Sequence, residues 1–228
     1  LLTSNDAKTA HGLIRGTERY NIIGIIDSEE HKGKDAGELL DGVHRNIPVF
    51  ATIDEAIHHF PAIDYLIIGV ATVGGVLPKN MISVVEKALE EGISIVNGLH
   101  EYLSDNPTFV NLAEKKNLSL IDIRKPKKRQ DLHFWTGKIY EIDVPIVAVM
   151  GMDCALGKRT TARLLRQSAK NSGLNAEMIY TGQTGWLQGG KYGFIFDSTL
   201  NDFVSGELEH SIYSCWQESK PDFILLEG

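Results

Sequence analysis

The chain of 228 residues is long for one average domain and short for two large ones, so it fits one large or two compact units. Its composition, 43% hydrophobic and 23% charged, is that of a globular protein and excludes wholesale disorder. Asp and Glu outnumber Lys and Arg 30 to 23, a net charge of −7 that argues against sequence-independent nucleic-acid binding, and the two cysteines are too few for a disulfide framework or a four-cysteine zinc site.

The chain opens on Leu1-Leu-Thr-Ser-Asn-Asp6, which has neither the charged region nor the apolar region of a signal peptide. The longest apolar run, Tyr65 to Ala71, is far below the ~20 residues that span a bilayer. Together these predict a soluble, cytoplasmic protein without a membrane partner. Between Leu2 and Leu13 there is one glycine where a dinucleotide fingerprint needs three, so Asp27, placed where a ribose-binding acid would stand, is weak evidence for NAD.

Asn21–Ile26, Asp64–Gly69, Ile93–Val96 and Leu118–Asp122 are short β-branched runs of the kind buried on both faces of a parallel sheet. Met81–Glu91 carries apolar residues at helical spacing and stops at Gly92, and Thr108–Lys116 reads as a second helix. Gly69–Gly75 is a ligand-facing loop or a plain connection. The alternation predicts an α/β fold with crossover helices.

The rhythm breaks at Arg124, Lys125, Lys127, Lys128 and Arg129, grouped around Pro126. The expected organisation is a first α/β unit over 1–123, a basic linker over 124–142 and a second unit over 143–228. The basic cluster is either a solvated connector or an anion site. In the second unit Pro145–Met150 reads as a strand, 158–172 as a helix, Ala176–Tyr180 as a strand, Thr181–Gly193 as a glycine-rich loop and 202–219 as a helix. The chain stops at Asp222–Gly228, a strand with Glu227 at the end where α/β nucleotide sites lie, which leads us to expect further residues beyond Gly228.

The strongest motif is Gly151-Met-Asp153-Cys154-Ala155-Leu156-Gly157-Lys158-Arg159-Thr160-Thr161, set between a strand and a helix. Glycines let backbone N–H groups wrap phosphate oxygens, the lysine reaches the outer phosphates, and the helix N-terminus faces the anion. Two features depart from the usual phosphate loop. Five residues rather than four separate the glycines, and Arg159 stands where Ser or Thr contacts Mg²⁺. Thr160 is one step further, which turns its side chain by about 100°. Asp153 and Glu227 are candidate carboxylates for a magnesium ion, with a turn-forming role equally open for Asp153. Cys154 reads as a small buried side chain rather than a nucleophile. Asp202, Glu207 and Glu209 sit near a helix start, where they complement the helix dipole or, with a pKa raised by burial, supply a general base.

Asp27-Ser, Gly37–Gly42, Gly98-Leu-His100, Asp122–Pro126, the Gly151–Ala162 block, Thr181–Gly185 and Asp202–Gly206 together resemble a bacterial and archaeal family catalogued as a domain of unknown function. That resemblance implies a Rossmann-like parallel-sheet N-terminal domain followed by a P-loop NTPase-like α/β domain. One branch of that family is assigned as D-glutamate N-acetyltransferase, which implies acetyl-CoA as cofactor and an acidic D-amino acid as the small-molecule substrate. On that reading Gly151–Thr161 hold the CoA diphosphate, Arg124, Lys125 and Gln183 bind the acceptor, and Glu207 with Asp202 handles its proton. A homo-oligomer is expected. The phosphate loop is also similar to that of dethiobiotin synthetase, which keeps open an ATP- and Mg²⁺-dependent ligase or kinase. A third class is a nucleotide-binding module without chemistry.

Overall fold

The computed structural model describes residues 2–153 and 156–228. It divides into two compact units, Leu1–Lys125 and Pro126–Gly228. None of the described helices is long and apolar enough to cross a membrane.

The first unit runs α1 (Lys8–Arg15), β1 (Ile25–Ile26), α2 (Ala36–Asp41), β2 (Val49–Phe50), α3 (Ile53–His59), β3 (Tyr65–Ile67), α4 (Lys79–Glu90), β4 (Ser94–Asn97), α5 (Pro107–Lys115) and β5 (Leu120–Asp122). β1 pairs with β2, and β3, β4 and β5 form a second sheet in that order, every pairing parallel. In β4 Ile95 and Val96 are fully buried. Val85, Ala88 and Leu89 of α4 join Ile95 in one core cluster with Phe109 and Ala113 of α5; burying one such large side chain is worth about 1.5–3 kcal/mol.

Helix starts in this unit follow their sequence chemistry. Asn106 caps α5 by accepting from the Thr108 amide, with Pro107 in the first turn. Asp35 caps α2 through the Gly37 and Glu38 amides and also accepts from Arg45 and Ile47. Burial pushes its carboxyl up, but these four backbone donors outweigh that and bring its pKa down to about 2. The run Asn21–Ile26, expected as a full strand, is paired as a strand only at its end, with Ile25 and Ile26 in register with Val49 and Phe50.

The second unit contains β6 (Ile146–Val149), α6 (Lys158–Asn171), β7 (Ala176–Tyr180), α7 (Gln183–Leu187), β8 (Tyr192–Gly193), α8 (Val204–Ser219) and β9 (Phe223–Glu227). Its strands form one parallel sheet in the order β6-β9-β7-β8. β6 is an edge strand, with Ile146 and Val147 exposed. The register places Val149 opposite Glu227, which brings the end of β9 beside the start of the 151–157 loop.

Two local expectations change here. The division falls after Lys125, and the segment from Pro126 onward, read as a linker, belongs to the second unit. Its Lys127, His133, Thr136 and Ile139 donate hydrogen bonds to Glu207 and Glu209 of α8, so side chains distant in sequence order a stretch that has no apolar period of its own. The glycine-rich segment 181–193 also contains a short helix. There a β-carbon on Gly185 would stand 2.3 Å from Tyr180 Cβ, and one on Gly190 2.5 Å from Tyr180 Cδ1. These glycines serve close packing on β7.

Candidate phosphate-binding site

The 151–157 loop leaves β6 and turns directly into α6. Gly157 makes the turn in the left-handed region, φ +87°, which any side chain would strain. α6 then begins without a side-chain cap and without an acidic residue in its first turn. Its opening residues are the cations Lys158 and Arg159, which work against the positive end of the helix dipole. A helix start with no side-chain cap from its N-cap residue and two cations in its first turn is suited to an anion.

Lys158 Nζ donates to the Asp153 carbonyl at 2.8 Å. Met152 is wholly exposed and Leu156 largely so. Gly151, Asp153 and Thr160 are exposed as well, and the Thr161 amide makes the first regular helical bond to the Gly157 carbonyl. Cys154 and Ala155 lie outside the described residues.

Arg159 Nε donates to Glu227 Oε1 at 3.1 Å, an ion pair joining the first turn of α6 to the end of β9. Glu227 is 7% exposed, and its Oε2 has no hydrogen-bond partner among the described residues. That oxygen lies 3.4 Å from the position a β-carbon on Gly185 would take. The Thr181 hydroxyl donates to the Glu227 carbonyl at 3.1 Å, and Gln183 opens α7 two residues further along the same segment.

Among the described residues no group of three or more His, Cys, Asp or Glu side chains is placed to hold a metal.

Glu207, read as a base with a pKa raised by burial, is instead a buried anchor. It is 1% exposed and accepts from Lys127 Nζ at 2.7 Å, from the His133 amide at 2.9 Å and from His133 Nδ1 at 2.8 Å. Burial pushes its carboxyl up, but Lys127 and His133 outweigh that and hold it below the usual range. The His133 ring stacks on His210 at 3.5 Å. Glu209 is likewise buried and held low, burial being outweighed by the Thr136 amide and hydroxyl and by the Ile139 amide. The lowered pKa of Glu207 is a correction to the premise on which its role as base rested. Asp202 lies exposed in the 3₁₀ turn Asn201–Phe203 that leads into α8.

Arg124 and Lys125 end the first unit and are engaged within it. Arg124 Nε donates to the Gly98 carbonyl at 2.7 Å, and Lys125 Nζ to Asp105 and Ser104, each at 2.7 Å. Asp27 accepts from the Leu2 amide and pairs with His31 Nδ1. Cys215 is buried, which pushes its thiol up to about 12, so it is inert as a nucleophile.

Residues 29–126 match the model of the DUF1611 N-terminal Rossmann-like domain, and residues 133–228 match that of the DUF1611 C-terminal P-loop domain, both described as domains of unknown function. A protein named D-glutamate N-acetyltransferase from Pseudoalteromonas sp is 36% identical over 162 residues, 71% of this chain and 47% of that protein. One of the same name from Tritonibacter scottomollicae is 33% identical over 145 residues, 64% of this chain and 42% of that protein. The chain thus spans about half the length of the curated relatives it matches. The crystal structure of a DUF1611 family protein from Anabaena variabilis superposes with a TM-score of 0.87 at 29% identity, covering 100% of this chain and 63% of that one.

Proposed function

This chain belongs to the DUF1611 family, pairing its Rossmann-like and P-loop domains, and from that premise we propose that it serves an acetyl-CoA-dependent N-acetyltransferase acting on an acidic D-amino acid such as D-glutamate. The names of the two relatives support the reaction class. The observation that carries the cofactor is the Gly157–Lys158–Arg159 turn, an uncapped helix start with two cations. CoA presents a diphosphate, and Lys158 would exchange the Asp153 carbonyl for a phosphate oxygen with little movement.

Acetyl-CoA, when bound, would supply an activated thioester, whose acyl group would pass to the acceptor nitrogen with the CoA thiolate as leaving group. The chain's part is to hold the diphosphate at 151–161 and to keep the acceptor amine unprotonated for attack. With Glu207 committed to Lys127 and His133, Asp202 is the exposed carboxylate near α8 that retains the proton-accepting role. Lys125 already pairs with the Asp105 carboxylate, the kind of group an acidic substrate would bring, whereas Arg124 is bound to a backbone carbonyl.

The test is thiol release from acetyl-CoA by the full-length protein, with and without D-glutamate. We expect release that depends on the amino acid, yields N-acetyl product and needs no ATP. Lys158→Ala should raise KM for acetyl-CoA by about ten- to over a hundred-fold, the value of one charge-assisted contact. Mg²⁺-dependent ATP turnover without acetyl transfer would assign the chain to the ligase or kinase class instead.

A further inference from the structure

Phosphate loops commonly hold Mg²⁺ through a Ser or Thr immediately after the lysine, with a carboxylate at the end of a nearby strand. Here an arginine takes the first position and a glutamate the second, and the two pair with each other. Arg159 follows Lys158, and Glu227 ends β9 in register with the last residue of β6. The guanidinium donates to the carboxylate at 3.1 Å, across 68 residues of sequence. A magnesium ion bridging phosphate to Glu227 would have to take Oε1 from Arg159 and then sit against a permanent positive charge. The second oxygen, Oε2, offers no easier route, since it is buried and belongs to the same carboxylate, so an ion on it would still sit beside the guanidinium. The residues present therefore do not fit the metal.

We infer that Arg159 takes the place of the magnesium ion, so that the 151–161 site binds a diphosphate through two fixed side-chain cations and needs no divalent metal. Glu227 is then a positioning residue. It holds the guanidinium at the loop by its Nε, as a carboxylate holds a planar fork in one orientation. A guanidinium never deprotonates near neutral pH and spreads its charge over several N–H donors, so it matches the two non-bridging oxygens a metal would otherwise neutralise. The inference deepens the acetyl-CoA reading, because transfer from a thioester leaves the diphosphate intact and asks only that its charge be held.

Calorimetric titration of the full-length protein with CoA and, separately, with inorganic pyrophosphate tests this, each in EDTA and in Mg²⁺. Both probes should bind, and the affinity of the wild-type protein should agree between the two conditions to within about two-fold. Arg159→Ala should lose about ten- to a hundred-fold in both conditions. Because that variant leaves Glu227 buried without its cation, Arg159→Thr is the second probe: it should bind weakly in EDTA and recover affinity when Mg²⁺ is added, since hydroxyl and carboxylate then stand as a metal pair. A wild-type affinity that rises ten-fold or more with Mg²⁺, an Arg159→Ala protein that binds as well as wild type, or no pyrophosphate binding in either condition would overturn the inference. Acetyl transfer is not read in this experiment. Metal-free pyrophosphate binding without any acetyltransferase activity would leave Arg159 in this role and remove only the proposed reaction.

Discussion

The two long helices of the second unit begin in opposite electrostatic ways. α8 has Glu207 in its first turn, buried and met by Lys127 and His133, with Glu209 two residues on and equally well met. α6 opens on Lys158 and Arg159, exposed enough to meet a ligand and of the wrong sign for the helix dipole. One start is met by cations of its own unit; the other places two cations at the positive end of the helix, with Arg159 held by Glu227 and Lys158 by the Asp153 carbonyl, and on the proposed function an anion from outside would complete it. On the proposed function, charge that opposes local stability would mark the binding end, and charge that serves it the scaffold.

Breaking the scaffold should have the largest effect. Glu207→Ala removes three hydrogen bonds to one buried carboxylate and should cost about 2–4 kcal/mol, read as a lower denaturation midpoint. Unchanged stability with lost turnover would reverse the assignment and return Glu207 to the chemistry. Lys158→Ala should act in the other direction on the free protein. It relieves a cation at a helix N-terminus, so stability should hold or rise by about 0.3–1 kcal/mol while phosphate affinity falls.

Acid should separate the two ends as well. Glu207 and Glu209 are held below their ordinary value of 4.5, so their contribution is complete above that pH and is lost as pH falls through the lower folded-state values. Denaturation midpoints measured from pH 6 downward should therefore drop on acidification, and a Glu207→Gln, Glu209→Gln double variant should start lower and drop less. The smallest effect belongs to Asp202→Asn at its exposed turn, which should change stability by less than about 0.5 kcal/mol. A measured fall in kcat with stability unchanged would support its proton-accepting role.

The phosphate loop was legible in sequence because its chemistry is local: two glycines, a lysine and the change from a β-branched run to a helix lie within twenty residues. β4, β7 and β9 were legible for the same reason, as short runs dominated by apolar residues. What escaped depends on partners far along the chain. His133 meets Glu207 across 74 residues, so the basic stretch looked like a tether when its order comes from α8. Gly185 and Gly190 looked like loop residues, though contact with Tyr180 is what demands them. The Arg159–Glu227 pair left one local trace, the arginine in a hydroxyl's position, and sequence could not say which carboxylate it would meet.

The contact between Lys158 and the Asp153 carbonyl also bears on how fast a ligand can be taken up. A lysine side chain that must be gathered from many rotamers at the moment of capture gives up about 1.5–2 kcal/mol of freedom. Here Lys158 is already held by the Asp153 carbonyl oxygen, and on the proposed function a phosphate oxygen would take that oxygen's place. Encounter then becomes the exchange of one acceptor for another on a cation that scarcely moves. Related phosphate ligands should accordingly arrive at similar, salt-sensitive rates and differ chiefly in how long they stay.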